Sequence, residues 1–298
     1  MTTLIWGVNY AVVKAALRHI PELAFNSLRL AVASLLFLGV LAFWPGPRPS
    51  AGLFPTARRI PRRDWAVLAA LSVIGQFVYQ LCFLGGIART TVANSALIQG
   101  SSPVVITVIA VLAGQENVRP RHWLGVGLSL AGIYLLVGTG AGVSRASLWG
   151  DALMLIGVCC WATYVVGSRP LLERHSPLAV SGYSMAIGTL LYFPLGVPQL
   201  RALHWSAVSP AAWAALVYSA VFSLFLAYVV WYTSIQRVGN VRTAAYSNLI
   251  PVVAMLTAVF FLGDRLQATD LAGAAVILAG VALARHRTSQ PTTPPAEE

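Results

Sequence analysis

Ser95, Gln99 and Ser102 recur at i, i+4 and i+7, which places three uncharged polar side chains on one face of an otherwise apolar helix. Shifting the chain by 148 residues lays Ser95 on Thr243, Gln99 on Ser247 and Pro103 on Pro251, with Asn248 beside Ser247. Singly, such groups cement helix packing in lipid. As a matched stripe beside a matched proline they read as the lining of a cavity that exchanges hydrogen bonds without carrying charge. Proline removes a backbone donor, so Pro103 and Pro251 are expected to free the carbonyls of Gln99 and Ser247 and to serve as hinges.

A second constellation is aromatic. Trp6, Asn9 and Tyr10 share one side of a helix, as do Trp161 and Tyr164. Tyr79, Gln80 and Phe83 share a sector with Gln76, while Tyr228 and Trp231 cluster with Tyr232. Aromatic walls combine apolar area with polar tips, which suits an amphipathic or aromatic solute. Trp44, Trp65, Trp123, Trp205 and Trp213 fall near span ends and read as an interfacial belt; Trp161 and Trp231 lie deeper.

Other chemistry lacks its groups. None of the 9 acidic residues stands in the middle of an apolar run, so a carboxylate proton relay is not expected. All 5 histidines lie at or beyond run ends, and neither H-E-x-x-H nor G-x-S-x-G occurs. An intramembrane enzyme, a metal site and a cofactor are therefore not expected. A lipid-handling membrane scaffold remains an alternative from another class.

The elements that position these faces follow from hydropathy. Of 298 residues 57% are hydrophobic and 10% charged, with a mean hydropathy of +0.73. About 20 apolar residues cross a bilayer as a helix. Such runs recur near 2–18, 22–44, 65–87, 92–114, 122–138, 150–169, 178–198, 211–235, 241–262 and 268–284, predicting an all-α integral membrane protein of ten spans. The 148-residue shift also lays Arg89 on Arg237, Ala96 on Ala244, Glu116 on Asp264, Gly125 on Gly273 and Gly132 on Gly280; upstream, a shift of 155 lays Trp6 on Trp161 and Lys14 on Arg169. The expected halves are residues 1–138 and 149–285, followed by a disordered cytoplasmic tail, 286–298. Five spans per half is an odd number, so the second half enters the membrane inverted relative to the first. Inverted pairs commonly build alternating-access transporters with a site at their interface.

The net charge of +11 fits orientation better than nucleic acid, because the arginines fall between apolar runs. Most cluster on one side, as in the loop from Trp44 to Asp64, placing both termini in the cytoplasm. Arginine is used almost to the exclusion of lysine, which suggests a GC-rich genome and a bacterial inner (plasma) membrane. Arg29 is the one fixed charge inside a span; snorkelling or pairing with freed carbonyls is expected for it, with a gate role or attraction of a substrate carboxylate as the alternative, and outward snorkelling is expected for Lys14. Glu116 and Asp264 are expected to pair with nearby arginines. Gly125, Gly127, Gly132, Gly273 and Gly280 permit close helix approach, which assigns the fifth and tenth spans to scaffolding or to homodimer contacts.

Together these residues resemble the EamA-type members of the drug/metabolite transporter superfamily. The likeness rests on W-G-V-N-Y-A-V-V-K from Trp6 to Lys14, P-x(7)-R from Pro21 to Arg29, and A-x(6)-P from Ala96 to Pro103 and again from Ala244 to Pro251. It rests also on the acids Glu116 and Asp264 and the glycines that follow, and it extends to Arg285. The resemblance implies ten helices, a central cavity and export of amino acids or related metabolites, with the aromatic lining closest to the branch that exports aromatic or hydrophobic amino acids. Charged-substrate members need basic cavity residues, and none is read as cavity lining here. The expected partners are a small-molecule substrate and the lipid bilayer. The expected energetics are those of a facilitator or exchanger, with proton-coupled efflux as the alternative.

Overall fold

The computed structural model describes residues 1–43, 60–90, 95, 98–137, 145–257 and 268–284, and among these no strand occurs. Helices α1 (Thr2–Ala16) and α2 (Glu22–Phe43) are followed by α3 (Arg62–Arg89), α4 (Ile98–Leu112) and α5 (Pro120–Val137). Then come α6 (Arg145–Leu172), α7 (Pro177–Ala202), α8 (Pro210–Val238), α9 (240–257) and α10 (Ala268–Ala284). Among the described residues five helical stretches are long and apolar enough to cross a membrane: α2, α3, 148–172 of α6, α7 and α8. Most of the loop from Trp44 onward, Ala96, Asp264, Arg265 and the tail 286–298 lie outside the described residues.

Local chemistry sets the helix starts. Ser176 and Ser209 each accept a hydrogen bond from the backbone N–H three residues on, at 3.1 and 3.3 Å, with proline next in the chain. Proline suits that first helical position because its missing N–H would have had no intrahelical acceptor there.

The same logic refines the expectation for Pro103 and Pro251. Each stands just after an irregular turn within its helix. The chain turns at Ser101 and a helical segment restarts at Ser102, with Pro103 in its first turn. Likewise a 3-10 turn at Tyr246–Leu249 precedes a segment that restarts at Ile250, next to Pro251. Both prolines begin a helical segment after a break.

Two further irregularities match. The stretch Val73–Val78 of α3 and Ser219–Leu226 of α8 are π-helical, and the 148-residue shift superposes 73–78 on 221–226. A π turn displaces backbone carbonyls from their α-helical partners and swings the following side chains around the axis, a device frequent at functional sites.

Helices pair across the two halves of the chain: α2 with α7, α3 with α6, and α5 with α10. The last pair is nearly backbone to backbone. A Cβ on Gly132 would lie 2.7 Å from the Ile277 nitrogen, and one on Gly280 would lie 2.6 Å from the Gly125 carbonyl oxygen. These glycines are thus used within one chain.

Candidate functional site: a central aromatic cavity

A cavity lies where α1, α2, α3, α4, α6, α8 and α9 meet. One wall is aromatic. The Trp6 ring meets Trp161 edge-on at 5.8 Å and lies 5.0 Å from Trp231, while Trp161 contacts Tyr228 at 5.7 Å and Tyr79 at 5.4 Å. Tyr10 packs edge-on against Phe83 at 5.7 Å. Trp6 Nε1 donates to the Ser223 carbonyl at 3.0 Å, and Ser223 sits inside the π turn of α8.

A polar cluster beside this wall is centred on Arg29, which is only 1% exposed. Its Nε donates to Asn26 Oδ1 at 2.6 Å, Nη1 to Ser219 Oγ at 2.9 Å and Nη2 to Gln80 Oε1 at 2.7 Å. The guanidinium lies 5.8 Å and 6.0 Å from the ring centroids of Phe25 and Phe83. Asn9 Oδ1 and Gln99 Oε1 are buried without a hydrogen-bond partner in the protein. Among the described residues no acidic side chain lines the cavity. Its volume is about 50 Å³, small beside the roughly 300–1,000 Å³ of ligand pockets.

Of the residues singled out from sequence, Trp6, Asn9, Tyr10, Tyr79, Gln80, Phe83, Gln99, Ser102, Trp161, Tyr228, Trp231 and Ser247 line this space. Ser95, Tyr164, Thr243 and Asn248 do not. Tyr164 is buried behind the cavity against Tyr232, 5.6 Å between rings, and Thr243 turns back to donate to the Gly239 carbonyl at 2.8 Å. Ser95 and Asn248 are buried elsewhere, and their side-chain polar atoms have no protein partner.

Sequence reasoning missed Ser223, Leu224 and Ile250 and held a site role for Arg29 only as an alternative, yet all four line the cavity. Arg29 does not snorkel. Three side-chain oxygens hold it in the interior, so the cavity has a basic residue after all. Asn26, one turn before Arg29, was the signal. Ile250 was legible as the 148-residue match of Ser102.

Lys14 does not snorkel either. Its Nζ donates to the carbonyls of Ile87 and Thr90 at 2.5 and 2.8 Å, tying α1 to the end of α3. That end of the bundle carries an open hollow of about 530 Å³, bordered by Lys14, Arg18, Glu22 and Arg89. Although larger than the central cavity, it has no aromatic wall, and we regard it as a mouth.

A second cluster joins α4, α6 and α9. Glu116 Oε1 accepts from Arg169 Nη1 at 2.9 Å and from the backbone N–H groups of Asn240 and Val241 at 2.7 and 3.2 Å. Gln115 adds bonds to the Val166 carbonyl and to the Asn240 amide, at 3.0 and 2.9 Å. Glu116 therefore pairs with an arginine, as expected, and also caps the start of α9. Asp64, 1% exposed, binds Arg174 and His175 at 2.7 Å each. Among the described residues no three His, Cys, Asp or Glu side chains gather as metal ligands.

Comparisons with known proteins agree with a transport architecture. The chain is 26% identical to a probable terminal-alkyne amino-acid exporter of Streptantibioticus cattleyicolor, covering 97% of this chain and 92% of that one. It is 22% identical to a probable amino-acid metabolite efflux pump of Salmonella typhimurium, over 94% and 91% of the two chains. An uncharacterized transporter of Archaeoglobus fulgidus is 27% identical over 97% of this chain and 96% of its own. A solved crystal structure with 20% identity superposes with a TM-score of 0.73, covering 95% of this chain and 93% of that one, which shows a shared fold. The model of the EamA-like transporter family matches residues 1–138 and again 148–285, so the chain belongs to that family and is a multi-pass membrane transporter rather than an enzyme.

Proposed function

We propose that this transporter exports a small neutral or zwitterionic metabolite, with aromatic and hydrophobic amino acids as the preferred class. The observation that carries this is the cavity itself: indole and phenol rings beside hydrogen-bonding groups and, among the described residues, no acid in the lining. Two relatives bearing amino-acid exporter or efflux names support the same class.

In this reading ten spans form two inverted halves in a bacterial inner membrane, with both termini in the cytoplasm. The matched π turns and the matched breaks before Pro103 and Pro251 support a duplicated, symmetric framework. The halves rock about the cavity, alternately exposing it to either side. The present volume is too small for an amino acid, so the lining rings must part before one enters. The contact between α5 and α10 is the static scaffold, and the exposed Leu124 and Leu278 on these helices are where a second copy would pack.

Transport runs down the solute's own gradient or by exchange, because among the described residues no carboxylate or histidine lines the cavity to carry a proton. The test is efflux of preloaded radiolabelled phenylalanine from liposomes holding the purified full-length protein. Saturable release without a pH gradient is expected. Strict dependence on a pH gradient would overturn the facilitator reading.

A further inference from the structure

Arg29 lacks a counter-ion. Among the described residues, Glu22, Glu116 and Asp64 are engaged by Arg89, by Arg169, and by Arg174 with His175, and no carboxylate is paired with Arg29. A buried charge is strongly unfavourable unless something compensates it. Asn26, Ser219 and Gln80 satisfy three of its N–H groups but neutralise nothing. A guanidinium has five N–H donors, so one remains on each of Nη1 and Nη2 to donate to carboxylate oxygen. Three fixed acceptors and two phenyl rings hold the side chain in place, so little rotamer freedom is left to lose when an anion arrives.

The acceptors for a positive group are also present. Asn9 is 3% and Gln99 9% exposed, and each has a buried amide oxygen without a protein partner at the cavity. With no acid in the lining, a free amine would find only neutral oxygens and ring faces, whereas a carboxylate would find a full positive charge.

We propose that Arg29 determines specificity by binding the substrate carboxylate, with the Asn9 and Gln99 oxygens receiving its ammonium group and Trp6, Trp161 and Trp231 holding its apolar side chain. This rests on the transport reading above and narrows it: the passenger must carry a carboxylate. Amines and esters of the same shape are poor substrates, and loss of the carboxylate costs more than loss of the ammonium.

The experiment measures phenylalanine efflux from the same liposomes in competition with phenylalanine, phenylalaninamide and 3-phenylpropionate. In the wild-type protein the amide should compete at least tenfold more weakly than phenylalanine, and 3-phenylpropionate only a few-fold more weakly. In Arg29→Gln the gap between phenylalanine and its amide should close, and in Arg29→Lys part of it should persist. The wild-type comparison decides the matter even where a variant does not fold. Equal competition by phenylalanine and its amide in the wild type would overturn the role of Arg29 while leaving transport intact. Absence of saturable efflux would overturn the transport reading, and this proposal with it.

Discussion

The two halves of the chain share backbone devices and both bring aromatic rings to the cavity, but the charge and every amide in its lining come from the first. At matched positions Trp6 faces Trp161, Phe83 corresponds to Trp231, Gln80 to Tyr228, Gln99 to Ser247 and Ser102 to Ile250, and all ten residues line the same space. The first half adds Arg29 and Asn9. Near the place of Arg29 the second half has Ser184 and Met185, both fully buried. The first half thus supplies the charged and amide groups together with Trp6, Tyr10, Tyr79 and Phe83, whereas the second supplies Trp161, Tyr228 and Trp231, two aliphatic residues and two serines. Duplication preserved the π turns and helix breaks because each reshapes many backbone bonds at once. Side chains on that framework diverged more freely.

Exchanging matched residues should show how far the halves have diverged. The largest effect is expected at the first π turn, where Gly75 matches Ser223. A Cβ on Gly75 would overlap the buried Tyr164 ring, so Gly75→Ser should abolish most monodisperse protein on size-exclusion chromatography in detergent, whereas Ser223→Gly should remain monodisperse. Next is the aromatic wall. Trp161→Ala removes ring contacts with Trp6, Tyr79, Tyr228 and Trp231, and phenylalanine flux at subsaturating concentration should fall by tenfold or more. Ser102→Ala should lower the same flux by less than about threefold.

The bundle ends provide the smaller contrasts. Glu116 is largely buried and serves one arginine and two backbone N–H groups, so Glu116→Gln should cost about 1–3 kcal/mol and lower the thermal midpoint in detergent by several degrees. Glu22 pairs with Arg89 where both side chains are substantially exposed, 24% and 40%. Glu22→Gln should therefore leave that midpoint unchanged within about 1 °C.

Legibility followed the kind of information each feature needs. Helical periodicity placed Trp6, Asn9 and Tyr10 on one face of α1, and all three reach the cavity. The same periodicity grouped Tyr164 with Trp161, yet only Trp161 lines it. The Cβ-less Gly75 on α3 gives the Tyr164 ring its own niche, and periodicity within α6 cannot register a glycine on another helix. Proline positions were visible, but whether each kinks a helix or begins one depends on where the preceding segment ends.

By itself the sequence determined the apolar helices, the 148-residue correspondence and the composition of the aromatic and amide faces, because these are properties of neighbours along one chain or of one half set beside the other. Only the tertiary structure decided the place of Arg29. A charge within an apolar run can reach for water or be held by distant partners, and which occurs depends on oxygens that packing brings to it. Here they come from Gln80, 51 residues away, and Ser219, 190 residues away, each carried to the cavity by its own helix.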